Sequence, residues 1–191
     1  GLMVRAVLAA CLAMGISGAA VAETYTDSTG FSCESPVGWT LISESHTAEV
    51  ADALTPQIKD WVQRNKIDFK QVKVILLRNG DHEKFLENLN VVVEPSQITV
   101  SETSRRQLAE LSTRRFAEAG LQQENYSSRI ERIADREFIV SDYLLKFPDS
   151  MGVGSVRQRQ YLIGGGGKTF TITCTALPET FETYEPVFSA V

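Results

Sequence analysis

Histidine is nearly absent from this chain, and with it most of the chemistry that needs a group titrating near neutrality. Only two occur among 191 residues. His46 has Glu44 and Glu49 near it, and His82 sits in "NGDHEK" beside Asp81 and Glu83. Metal ligands must converge, whereas adjacent residues on a turn point apart, so both histidines read as solvated surface and no metal site is expected. A Ser-His-Asp relay has little support on the same ground. Nor is there a run of ~20 continuous strongly apolar residues, which a membrane-spanning helix needs. Positive charge is in deficit too: 19 Lys and Arg stand against 24 Asp and Glu, a net charge of −5. General nucleic-acid binding needs a basic footprint and is not expected.

What is there begins with the first 23 residues, "GLMVRAVLAACLAMGISGAAVAE". Arg5 precedes an apolar run from Ala6 to Met14, small residues follow, and "AVA" at 20–22 stands just before Glu23. This is the three-part pattern of a secretory signal peptide over residues 1–22, with cleavage after Ala22. Export to the bacterial periplasm follows. Two other readings stand beside it. "LAAC" resembles a lipobox whose Cys11 would carry a lipid, although the apolar run before it is short and continues past it. A transmembrane anchor is the other, weakened by Gly15 and Gly18. Cleavage would leave 18 basic against 24 acidic residues, a net charge of −6. Residues 23–191 then form one domain, of a size that buries ~70% of its unfolded surface. The closing "PVFSAV" stops inside an apolar pattern, which reads as a clipped C-terminus.

Of the three cysteines, Cys33 and Cys174 would remain after cleavage. In an oxidising compartment they form a candidate disulfide, and a loop that long is worth ~4–5 kcal/mol in the chain-entropy model. Two buried free thiols on separate strands fit the spacing equally well.

Periodicity orders the rest. "GFSCESPVGWTLIS" reads as two short strands joined by a Pro-Gly turn. "TPQIKDWVQRN" reads as a helix capped by Thr55 with Pro56 at its first position and Ile58, Trp61 and Val62 on one face; "AEVADAL" before it suggests a short helical turn. Val72, Val74 and Leu76, then Phe85, Leu89, Val91 and Val93, mark two strands around a polar turn. "SETSRRQLAELSTRRFAEAG" is an amphipathic helix with Leu108, Leu111, Phe116 and Ala119 inward and Gly120 at its end. Two alternating runs split by "AD" follow, and then a hairpin whose strands flank four glycines. "PETFETYEPVFSAV" closes the chain as a helix that Pro186 should shorten or kink. The fold class is α+β: a mostly antiparallel sheet covered by helices.

The glycines decide one question of function. "GGGGKT" at 164–169 resembles a phosphate loop, but that motif requires a glycine at 162, where Leu162 stands, and a helix behind it, where "KTFTITC" alternates as a strand. It is a hairpin turn. "MGVGSVR" at 151–157 fails as a dinucleotide fingerprint, because Arg157 occupies the third glycine position. Arg105, Arg106, Arg114 and Arg115 fall mostly on the polar helix face among glutamates. They read as a solvated face or as a docking patch for an acidic partner. Arg157 and Arg159 share one strand face and form a second candidate patch if no helix covers that face. Asp135, Glu137 and Asp142 are close in sequence and carry the alternative of a small periplasmic hydrolase. However, Asp135 is in a turn, and Glu137 and Asp142 face opposite sides of a strand. A nucleophilic cysteine is not expected in an exported pair.

The opening "F-x-x-x-x-P-x-G-W" (Phe31, Pro36, Gly38, Trp39), the mid-chain strand before a long amphipathic helix, the glycine-turn hairpin and the closing "LPETFETYEPVFSAV" together resemble the PsbP/DcrB-like group of secreted or lumenal proteins. The resemblance spans residues 25–191 and implies an antiparallel sheet sandwiched between helices. It implies an accessory, binding or assembly role instead of catalysis, with no cofactor and no catalytic residues to carry over. The two cysteines are not part of the family pattern. The expectation is an exported, non-catalytic accessory protein acting on a partner protein or envelope component. The lipid-anchored form at Cys11 remains a variant of it.

Overall fold

The computed structural model describes residues 24–26, 30–43, 56–64, 71–79, 87–152 and 154–190. The leader with Cys11, both histidines, the "AEVADAL" turn, Thr55 and Phe85 lie outside them, as do the side chains of Ile58, Trp61 and Val62.

Two short strands, β1 (Thr24–Thr26) and β2 (Ser32–Glu34), pair as an antiparallel ribbon with Tyr25 opposite Cys33. After it the Trp39 amide donates to the Pro36 carbonyl at 3.1 Å, with Gly38 at φ +83°. That is a type II turn, whose third position needs the positive φ that glycine supplies. Trp39 emerges 5% exposed as an anchor at the start of β3 (Trp39–Ser43). The two short strands joined by this turn are present, and they pair with different partners: β2 pairs with β1, and β3 pairs with β4 (Val72–Arg78).

Helix α1 (Pro56–Arg64) starts with its proline where no amide partner is needed. β5 (Asn88–Glu94) then leads to α2 (Glu102–Glu118). Ser101 caps α2 by accepting from the Ser104 amide at 3.1 Å. At the other end Leu121 donates to Phe116 and Gly120 to Ala117, with Gly120 at φ +78°, the Schellman closure. Leu108, Phe116 and Ala119 are buried as expected, and Leu111 is half-buried. β6 (Gln122–Ile133) and β7 (Arg136–Lys146) turn at Ala134 and Asp135, both left-handed. β8 (Ser155–Gly165) and β9 (Lys168–Ala176) turn at Gly166 and Gly167. Both hairpins have the two-residue turn whose twist matches paired strands. Gly164 has a separate reason to be glycine: a Cβ there would collide with the Ile98 carbonyl oxygen.

The closing helix α3 (Phe181–Ala190) runs through Pro186, so of the two effects expected of that proline the shortening does not occur. Proline removes the amide that would bond the Glu182 carbonyl. Glu182 is exposed in the first turn, where water can replace that bond, and Phe181 and Phe188 pin the helix on both sides, ring centroids 5.8 Å apart.

Seven strands form one wholly antiparallel sheet in the order β3-β4-β5-β9-β8-β7-β6. Register puts Val91, Ile172, Tyr161, Val140 and Arg129 in one row across five strands, and Leu89, Cys174, Arg159 and Asp142 in the next row on the same face. α3 and the β1–β2 ribbon cover this face. The opposite face carries Tyr143, which packs on Phe116 of α2 at 5.7 Å. The architecture is an α+β sandwich. Among the described residues no helix is long and apolar enough to cross a membrane.

Candidate functional site

The α3 face is only partly covered. Between α3, the ribbon and the β6–β7 hairpin a cleft of about 370 Å³ remains. Its walls are Phe31, Phe138, Tyr161, Ile172 and Phe188; Arg129, Glu131, Arg159 and Glu185 stand on its polar side. A second hollow of about 500 Å³ continues along the other flank of Phe31, past Phe170 and Ile163 to Gly165 and Gly166. Phe31 divides the two, stacked on Phe170 at 5.7 Å, while Phe138 meets Tyr161 edge-on at 6.5 Å.

Strand alternation and hairpin register build this site. Asp142 and Arg159 are cross-strand partners, so the Arg159 Nε reaches Asp142 Oδ1 at 2.7 Å. Arg129 Nη1 reaches the other Asp142 oxygen at 2.9 Å, and its Nε donates to Glu131 at 2.9 Å. Arg159 Nη1 extends the chain to Glu185 of α3 at 3.3 Å. Five alternating charges, Glu131–Arg129–Asp142–Arg159–Glu185, thus run paired along one wall, with one carboxylate in excess. Burial opposes the charge on Arg159, and the Asp142 carboxylate outweighs it, so its pKa lies above the ordinary value. Burial raises Tyr161, with the Cys174 sulfur next in effect.

The candidate arginines separate into two groups. Arg157 and Arg159 are covered by a helix, which answers the condition set for them. Arg157 lies over the Phe181 ring at 4.2 Å and pairs with Glu182 at 2.8 Å, and Arg159 lies over the same ring at 5.4 Å. They hold α3 down. On α2, Arg105 bonds Glu102 and reaches the Ser128 hydroxyl at 2.9 Å; Arg106, Arg114 and Arg115 are exposed. At 3.6 residues per turn these four spread around the helix instead of converging, and α2 lies on the opposite side of the sheet from Arg157 and Arg159.

Cys33 and Cys174 are both free and buried, so the candidate bridge is not formed. They belong to the same apolar cluster on the α3 face. Burial pushes the Cys33 thiol up to about 11 and Cys174 higher still. Disulfide chemistry runs through a thiolate, which both sites disfavour. The carboxylates of the hydrolase alternative stay apart: Asp135 is an exposed turn residue, Glu137 points to the α2 side, and Asp142 is held between two arginines. Among the described residues no three of His, Cys, Asp and Glu gather as metal ligands would.

No family model matches the chain, and no curated protein matches it in sequence. The arrangement of layers does have a counterpart among solved structures. Cyanobacterial PsbP (CyanoP) from Synechocystis sp. PCC 6803, known from a solution structure, superposes with a TM-score of 0.58 over 93% of this chain and 92% of that one. The fold is PsbP-like. Sequence identity is 14%, so the likeness shows the fold alone. It supports the PsbP side of the resemblance and does not bear on the DcrB side.

The cleft itself was missed from sequence. Arg157 and Arg159 were visible as same-face strand residues. That α3 would cover the arginines, and that the ribbon would leave Phe138 and Tyr161 partly open, depends on contacts between distant segments.

Proposed function

We propose that this protein is an exported, non-catalytic accessory protein of the bacterial periplasm that holds a partner protein or envelope component in the cleft beside α3. One observation carries the reading. The charged side chains lining the cleft are joined to one another or to Asp142 through ion pairs, which leaves aromatic and aliphatic surface as the part that makes new contacts. Small-molecule and side-chain sites share this build: a mostly apolar hollow with few fixed polar groups. The leader pattern of residues 1–22 supports export, and the PsbP-like fold supports an accessory role. The hydrolase alternative has no supporting geometry, since its three carboxylates do not converge.

The test uses the full chain expressed with its leader in a bacterium. A photo-crosslinking amino acid is placed at Phe138 in the cleft or at Glu118 on the exposed side of α2. Recovery in the periplasmic fraction of a chain beginning at Glu23, with a discrete adduct from position 138 and none from 118, is the expected result. Retention in the cytoplasm sinks the export reading. Equal adducts from both positions, or none from 138, sink the cleft. Membrane retention of a chain beginning at Cys11 selects the lipid-anchored form.

A further inference from the structure

The hollow on the far flank of Phe31 differs from the cleft beside α3 in its chemistry. It measures about 500 Å³, and its apolar walls are Phe31, Phe138, Ile163, Phe170 and Ile172. Strand alternation builds it: Arg136 and Phe138 project from β7 on the α3 face, and Ile163 of β8 stands opposite Phe170 of β9. Among the described residues that line it, Arg136 is the one charged group, and no carboxylate is present. Arg129, Arg157 and Arg159 on the same face each pair with a carboxylate, whereas Arg136 makes no ion pair among the described residues. Arg136 is also exposed, so its guanidinium stands where the hollow meets water.

The other end of the hollow is a glycine that the backbone does not require. Gly165 closes β8 outside the left-handed region, and a Cβ there would meet nothing within 4 Å. Gly166 beside it, at φ +59°, serves the turn instead. A bare Gly165 therefore keeps that end open. We propose that the hollow binds a free straight-chain fatty acid, its carboxylate on Arg136 and its alkyl chain laid along the phenylalanines and isoleucines towards Gly165. The arginine fork matches a carboxylate with two hydrogen bonds, and the walls match a chain that needs none. An extended peptide fits worse, because each of its amides brings a donor and an acceptor that these walls leave unpaired. The volume falls in the ~300–1,000 Å³ range usual for small-molecule sites. Nothing in this assignment depends on what the cleft beside α3 holds.

Decanoate, dodecanoate, 1-nonanol and acetyl-dileucine, each below its micelle or solubility limit, are titrated calorimetrically into the full chain. Decanoate should bind saturably at a single site, and dodecanoate about four- to tenfold tighter, as two further methylenes leave water. The alcohol has the alkyl chain of decanoate without the carboxylate and should bind more weakly. Gly165→Leu fills the end of the hollow and should weaken decanoate about tenfold, the equivalent of roughly two buried methylenes. Arg136→Gln should weaken decanoate about three- to tenfold and leave 1-nonanol unchanged. Urea midpoints near that of the parent check that both variants fold. No saturable binding of either acid overturns the proposal, and so does binding that both variants leave unchanged, which lies elsewhere on the molecule. Loss in Gly165→Leu alone overturns the carboxylate contact. Acetyl-dileucine binding as tightly as decanoate overturns the fatty acid in favour of a peptide end. Neither Arg136 nor Gly165 lines the cleft, so each of these outcomes leaves the cross-linking test of the cleft to be decided by itself.

Discussion

On one side of the central strands, Leu89, Val91, Ile172 and Cys174 face the closing helix. One residue along each strand, Asn88, Asn90, Thr173 and Thr175 face the other way, 0% exposed. The same backbone ladder therefore carries an apolar layer and a buried polar layer. Apolar burial is non-directional and scales with area, so the α3 face supplies stability and tolerates reshaping. The α2 face depends on partners: a satisfied amide contributes little net, and an unsatisfied one costs about 1–3 kcal/mol. The first face should respond to lost volume and the second to lost hydrogen bonds.

The largest effect expected breaks the apolar layer. Phe181 is 0% exposed, packs on Phe188 and carries Arg157 over its ring at 4.2 Å. Phe181→Ala should destabilise by about 3–5 kcal/mol, seen in urea as a lower midpoint with an unchanged slope. A loss below about 1 kcal/mol would mean that α3 does not hold the sheet as described.

This contrast was half legible in the sequence. Alternation at Phe170, Ile172 and Cys174 named the apolar face, and the threonines between them are the other one. Two-residue turns then set the pairing within each hairpin: Ala134–Asp135 places Arg129 opposite Val140, and Gly166–Gly167 places Tyr161 opposite Ile172. The pairing of Val140 with Tyr161, and of Val91 with Ile172, joins segments separated by longer connections, where no local rule fixes register. Both the cleft and the polar layer need those pairings. The ribbon was missed for a similar reason: "SPVG" was legible as a turn, yet what each flanking strand pairs with is a long-range choice. Pro186 does not end α3 because the exposed first turn and the flanking phenylalanines tolerate it, which a local rule does not see.

The second prediction separates the faces by pH. Burial raises Cys33 from 9.0 to about 11 and also raises Cys174 and Tyr161, all three on the α3 face. The folded state keeps these groups protonated, so their contribution is complete below the unfolded value and is lost as pH rises from about 9 towards 11. For Cys33 that is on the order of 2 kcal/mol, at about 1.4 kcal/mol per pH unit. Thermal midpoints between pH 8 and 11 should fall more steeply for the parent than for Cys33→Ala. Parallel curves would remove Cys33 as a source of alkaline sensitivity.

The third sets two threonines of β9 against each other. Thr173 accepts from the Gln160 amide, whereas Thr171 has no partner. Thr173→Val leaves a buried amide unbonded and should destabilise by about 1–2 kcal/mol. Thr171→Val removes an orphaned hydroxyl and should be neutral or slightly stabilising. The same change two residues away on the same face thus has opposite expected signs. Equal losses in a denaturant series would show that the polar layer behaves as simple volume.

The smallest effect tests what fixes α3 above the cleft. Arg159 lies between Asp142 at 2.7 Å and Glu185 at 3.3 Å, and Glu185 also accepts from Ser189 at 3.0 Å. Glu185→Gln keeps an acceptor for Ser189 and deletes the charge. Because the Glu185 side chain is 35% exposed, the pair is partly screened, and the change should cost below about 1 kcal/mol. It should shrink towards zero in ~1 M salt, where the Debye length is about 3 Å. A salt-independent loss would mean that Glu185 acts through packing against the cleft wall, and the alternating charges would then be a consequence of how α3 is seated. A loss that salt removes makes them a weak clasp laid over the apolar contacts of Phe181 and Phe188. Binding in the cleft would then vary with ionic strength while the fold does not.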